Sequence, residues 1–265
     1  LTPEQALITE RPFYAPHHTV TAAALIGGGN AYPRPGMVSL AHRGVLFLDE
    51  LPEFQRTVLD SMRQPLEERR VQIARASGVV TFPSDFMLVA AMNPCKCGFF
   101  PDLGKCRCTP TQIRRYLNRV SGPFLDRIDI GVEVPRQDLG MMAAEKSIDE
   151  GSFPQTEQRN SSAVMRARVM EARARQEKRF ADESISYNSQ MTRRQIEEYC
   201  RLSGEDAVFL EKVERQQGIS ARGHGKILKV ARTLADLDGQ AEIGRTQLAE
   251  AIGFWSFEKK YWGSL

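Results

Sequence analysis

Asp49 and Glu50 are adjacent carboxylates at the end of an apolar run, residues 45–48, in "GVLFLDE". A buried strand that ends in Asp-Glu has the form of a Walker B motif. There the first acid holds Mg²⁺, directly or through water, and the second orients the water that attacks a γ-phosphate. The pair alone is a weak signal, because a strand end whose acids face water or cap a helix reads the same way. Three further residues strengthen it by their order. "FMLVAAMN" (86–93) is a second apolar run and ends in Asn93, whose amide could touch the same water. "GPFLDRIDI" (122–130) sets Arg127 just before a third run, and "SARGHGKILKVARTLADLDG" (220–239) sets Arg222 at the start of a helix. Singly these are a capping Asn and two surface arginines; in sequence they form a constellation.

Four of the five cysteines lie close together, in "CKCGFFPDLGKCRC". Cys95, Cys97, Cys106 and Cys108 could close tetrahedrally around a structural Zn²⁺. Reduced, metal-free thiols are the alternative, since a one-residue gap is strained for two ligands of one metal. Cys200 stands alone and reads as a small core residue.

Positioning these groups requires an α/β unit. The runs at 45–49, 87–92 and 129–134 suit parallel strands, with residues 45–48 as a central strand covered on both faces. Val58, Leu59, Met62 and Leu66 recur at helical spacing, so residues 55–66 read as one amphipathic helix. "VQIARASGVVTFP" (71–83) reads as a β-hairpin with its turn near Ala76-Ser77-Gly78, and residues 111–120 as a helix. "GGGNAYPRPG" (27–36) is too rich in glycine and proline for a regular helix or strand. "TVTAAALI" (19–26) fits either a short helix or a strand. A polar connector follows at 136–155, and beyond it the pattern is wholly helical, near 157–180, 192–202, 205–217, 221–238 and 246–253. The expected domains are therefore residues 1–135, a partial α/β core, and 156–265, a helical lid with its tail.

Hydrophobic residues make up 42% and charged residues 26% of the 265, with a net charge of +3. That composition is ordinary for a globular protein, and no run approaches the roughly 20 apolar residues of a membrane span. The first residues do not form a signal peptide, so a cytoplasmic protein is expected. The basic clusters at 114–119 and 166–179 read first as solvated helix faces.

The motifs "RPFYAPHHT", "GVLFLDELPEF", "RQPLEE", "LVAAMNPCKCG", "CRCTP", "SGPFLDRIDIGVEVP" and "SARGHGKILKVARTLADLDG" cover nearly the whole chain. Through them the sequence resembles the magnesium-chelatase-like AAA+ ATPases of bacteria, the YifB/ComM family. The resemblance implies a P-loop-type AAA+ core with a helical lid. It makes Asp49 and Glu50 the Walker B pair for Mg-ATP, Asn93 sensor 1, Arg127 the arginine finger toward a neighbouring subunit, and Arg222 sensor 2. It also implies that the 71–83 hairpin, with Arg75 in its turn, and the glycine-rich stretch with Tyr32 and Arg34 face a central pore and contact DNA. The implied protein is a ring motor, a hexamer, acting on single-stranded or branched DNA. A magnesium-chelatase-type ATPase that remodels a metal-insertion partner is the alternative, and a non-catalytic interaction module a third. The family pattern further includes a GxxGxGK[ST] phosphate loop before "RPF" and a Lon-like amino-terminal domain. These 265 residues hold neither, so the expectation is a module cut after that loop and inactive by itself.

Overall fold

The computed structural model describes residues 10–29, 32–75, 78–134 and 161–263. The chain divides into two compact units, Leu1–Ile128 with Lys260–Leu265, and Asp129–Lys259. The final residues thus join the first unit, where the sequence pattern assigns them to the helical part. The expected connector, 136–155, lies outside the described residues.

The first unit is built on a three-stranded parallel sheet in the order β1–β4–β7. Its strands are β1 (Phe13–Tyr14), β4 (Val45–Leu48) and β7 (Met87–Ala90). Val45 lies opposite both Phe13 and Met87, and Leu46 opposite both Tyr14 and Leu88. Gly44 permits the approach of β1, because a Cβ there would overlap the Pro12 carbonyl that accepts from Val45 N at 2.8 Å. Leu46 and Leu48 are fully buried on one face, whereas Phe13 and Met87 on the other are 65% and 62% exposed. The central strand is therefore covered on one face only among the described residues, not on both as its continuous apolar run predicts.

Between β1 and β4 lie α1 (Ala22–Ile26), β2 (Gly27–Gly28), β3 (Arg34–Pro35) and α2 (Met37–Leu40). The glycine-rich stretch does hold strand structure, contrary to expectation: β2 and β3 pair antiparallel over two residues each. Gly27 makes this possible, since at φ +112° a side chain is strained and its Cβ would fall 2.6 Å from the Arg34 carbonyl.

The amphipathic stretch after β4 is two helices, α3 (Arg56–Ser61) and α4 (Arg63–Glu68), broken at Met62. Pro65 explains the break: it has no N–H to offer the Ser61 carbonyl one turn back. β5 (Arg70–Arg75) and β6 (Gly78–Pro83) form the expected antiparallel hairpin. α5 (Pro110–Leu117) starts in a capping box of Thr109 and Gln112, and α6 (Gly122–Leu125) follows.

The third expected strand is absent. Residues 128–134 alternate apolar and polar, but they pair with no strand among the described residues. Ile130, Val132 and Val134 are 49%, 67% and 88% exposed. Alternation marks a strand only where a neighbouring edge completes its hydrogen bonds.

The second unit is helical, with no strand among the described residues. It comprises α7 (Ser162–Arg179), α8 (Arg193–Tyr199), α9 (Gly204–Gln217), α10 (Ala221–Leu237), α11 (Arg245–Trp255) and the start of α12 (Phe257–Trp262). Ser161, Thr192, Ser203 and Ser220 each cap a helix through the side-chain oxygen. The core joins Phe180, Leu210, Ile227, Ala231 and Leu248, and includes Cys200 as expected. Asp236 is fully buried inside it; it accepts from Arg179 Nη1 and Asn188 Nδ2 at 2.8 Å each, and pairs with Arg232 at 3.1 Å.

Candidate functional site

The parallel sheet delivers its polar residues to one end. Beyond β4, Leu51 N donates to the Ala91 carbonyl at 3.0 Å, and Ala91 N donates to the Leu48 carbonyl at 2.9 Å. These bonds stitch the segment carrying Asp49 and Glu50 to the one carrying Asn93. Asn93 lies three residues past the end of β7 and is exposed. In open α/β sheets, the carboxyl ends of the strands are where ligands bind.

Glu50 adopts a left-handed backbone, φ 51° and ψ 46°, unusual for a residue with a side chain. Its N–H donates to Asp49 Oδ1 at 2.8 Å, so the two acids are locked into one turn. The Glu50 carboxylate meets His18 Nδ1 at 3.3 Å. His18 is itself placed by the His17 ring, 4.0 Å between centroids, and by the edge of Phe54. The sequence reading passed over His18. The only available signal was a histidine pair in "APHHT", four residues past a strand too short to detect.

Arg127 is not extended toward solvent. Its side chain is 9% exposed and pairs with Glu67 at 2.8 Å. Its guanidinium also donates to the Arg63 carbonyl at 3.3 Å and to the Pro123 carbonyl. A role toward a neighbouring subunit would require it to exchange these partners. Arg222 belongs to the second unit, exposed in the first turn of α10, where Ser220 Oγ accepts from Gly223 N at 3.2 Å.

The residues expected to face nucleic acid lie on two hairpins that meet. Arg75, at the end of β5, donates from Nε to the Gly29 carbonyl at 3.2 Å and from Nη1 to the Ala74 carbonyl at 2.9 Å. The β2–β3 hairpin thereby carries Tyr32 and Arg34 beside Arg75. Tyr32 is 84% exposed and Arg34 is exposed, a pairing of aromatic surface and positive charge.

Cys95, Cys97, Cys106 and Cys108 gather so that all four Sγ atoms lie within 4.8 Å of one another. Sulfur separations are 3.4 Å for Cys95–Cys97, 3.6 Å for Cys97–Cys106 and 3.8 Å for Cys95–Cys106. A disulfide needs about 2.05 Å. A tetrahedron of sulfurs about 2.3 Å from Zn²⁺ has edges of about 3.8 Å, so the spacing fits that ion. The one-residue gaps therefore do not prevent convergence. Backbone N–H groups of Phe99 and Arg107 lower the Cys97 thiol to about 6. At Cys106 the Cys108 N–H favours the thiolate, but burial and the Cys97 and Cys95 thiols outweigh it and push the group up to about 12.

Two family models match this chain. "Magnesium chelatase, subunit ChlI" covers residues 1–142, and "Magnesium chelatase, subunit ChlI C-terminal" covers residues 159–255. Competence protein ComM of Haemophilus influenzae is 46% identical over 92% of this chain and 45% of its own length. Uncharacterized protein YifB of Escherichia coli is 43% identical over 94% of this chain and 46% of its own. Uncharacterized protein Rv2897c of Mycobacterium tuberculosis is 37% identical over 96% and 48%. The chain spans about half the length of the curated relatives it matches. Its parallel sheet, its helical second half and these matches agree, and the chain belongs to the magnesium-chelatase-like AAA+ family that includes ComM and YifB.

Proposed function

We propose that the whole protein is an ATP-driven ring motor, a cytoplasmic hexamer that acts on single-stranded or branched DNA. The observation that carries this reading is the gathering of Asp49, Glu50, His18 and Asn93 at one end of three parallel strands. Mg-ATP would supply the transferable phosphoryl group and the cation. Asp49 holds the cation, Glu50 polarises the attacking water, and Asn93 helps to fix that water. Arg127 and Arg222 neutralise charge that develops on the phosphates, and Arg127 does so after leaving Glu67. The reading applies to a protein that also carries a phosphate loop. Zn²⁺ on the four cysteines completes the cofactors as a structural ion. Tyr32, with Arg34 and Arg75, offers base stacking and phosphate contact, the two parts of sequence-tolerant strand binding. The name of the Haemophilus relative, a competence protein, fits DNA handling.

The test is ATP turnover by the full-length protein with and without branched DNA. Turnover should rise with DNA and fall with salt. Glu50→Gln should retain ATP binding and lose at least about a hundredfold in hydrolysis, because it removes the water-orienting carboxylate and spares the phosphate contacts. Turnover indifferent to DNA would favour the second reading, a remodelling ATPase for a metal-insertion partner, which the family name supports.

A further inference from the structure

The loop between β7 and α5 has neither helix nor strand over residues 91–109. Loops of this length rarely hold a shape without a reason. Its tip is not held by apolar packing, since Leu103 is 80% exposed. Two things converge on it instead: the four thiols, and the aromatic end of α12. Cys95 is fully buried in a small core with Ile113, Tyr116 and Leu117, and Cys97, Phe100, Cys106, Cys108, Tyr261 and Trp262 pack around that core. The Tyr261 ring meets the Phe100 ring edge-on at 6.2 Å, and Trp262 Nε1 donates to the Leu117 carbonyl at 3.1 Å. All of these residues belong to the first unit.

We propose that Zn²⁺ bound by Cys95, Cys97, Cys106 and Cys108 seats Tyr261 and Trp262, making the docking of the carboxyl-terminal aromatic pair dependent on metal. This rests on the zinc reading above and adds a role for the ion. Phe100 lies between Cys97 and Cys106, and its N–H donates to Cys95 Sγ at 3.4 Å. Four metal–sulfur bonds would fix the backbone on both sides of Phe100, and with it the surface that receives Tyr261. Without the ion, sulfur–sulfur contacts of 3.4–3.8 Å and the small core around Cys95 are weaker ties between the two ends of the loop, and the aromatic pair loses a fixed seat. The coupling is reciprocal, so the pair must also strengthen metal binding by the same factor.

Full-length protein purified without chelator is analysed for zinc, then followed by hydrogen exchange before and after chelation. One zinc per chain is expected, and chelation should speed exchange of the peptide bearing Tyr261 and Trp262 by about tenfold, within the usual range of coupling between sites. Far-UV circular dichroism before and after chelation separates local release from global unfolding. Trp262→Ala should leave one zinc per chain at saturation and weaken Zn²⁺ affinity, measured against a competing chelator, by about tenfold. Absence of zinc in protein that also binds none on titration overturns the metal reading and this inference together. Zinc that binds while neither the exchange nor the Trp262→Ala affinity moves overturns this inference alone.

Discussion

Glu50 and His18 meet because two strands bring together residues 32 positions apart. His18→Ala removes a side chain that meets the Glu50 carboxylate at 3.3 Å. On the proposed ATPase reading, in the full-length protein it should lower kcat by about tenfold and leave nucleotide affinity unchanged, as expected when a positioning contact of about 1.4 kcal/mol is lost. An unchanged kcat would remove His18 from the site. Arg127 gives a second prediction. Its alanine variant loses the contacts to Glu67, Arg63 and Pro123, yet Glu67 is 43% exposed and can be hydrated. The stability cost should be modest, roughly 1–2 kcal/mol. A trans-acting arginine should in contrast lower turnover by a factor on the order of 10³. Subunits carrying Arg127→Ala, mixed with subunits carrying Glu50→Gln, should then recover turnover at interfaces that combine an intact finger with an intact acid. No recovery on mixing would mean that Arg127 acts within its own chain. The acids, Asn93 and the four cysteines were legible because their spacing along the chain is the signal. His18 was not, since its contact exists only once β1 lies beside β4.

Elements were legible where the pattern was local. The helices expected near 192–202, 205–217 and 221–238 correspond to α8, α9 and α10, and the run at 45–48 announces β4. β1, at two residues, carries no pattern to detect, and residues 128–134 carry a strand pattern without a neighbouring edge. The polar centre of the helical unit was equally hidden, because Asp236 and Arg179 are 57 positions apart. Burial opposes ionisation of Asp236, but Arg179, Asn188 and Arg232 outweigh it and hold the carboxyl below its ordinary 3.8. With the folded value depressed, acid protonates the unfolded chain first. The contribution is whole above the ordinary value and is lost as pH falls through the folded one. Asp236→Asn leaves two guanidinium groups without their acid and should cost roughly 3–5 kcal/mol near neutral pH. Urea midpoints measured from about pH 7 to about pH 3 should show the deficit shrinking at the acid end. A deficit constant across that range would mean that the charge of Asp236 is not what stabilises the helices.

At the scale of the whole molecule, the chain combines two kinds of construction. No helix among the described residues is long and apolar enough to cross a membrane. In the helical unit each turn closes within four residues. In the first unit the sheet cannot form until residues about thirty to forty positions apart find each other, because parallel strands admit no tight hairpin between them. Parallel pairing does, however, set an order in time. Contacts between distant residues slow folding, whereas helical packing is fast. The two tryptophans report separately: Trp255 packs against the helical core, and Trp262 against the cysteine loop. After dilution from urea, the Trp262→Phe chain, reporting through Trp255, should recover its fluorescence before the Trp255→Phe chain, which reports through Trp262. Equal rates would mean that the two units fold as one. During synthesis, the unit made first would be the slower to finish, and its apolar sheet face, with Phe13 and Met87, would be open to misassembly while the later helices are already folded.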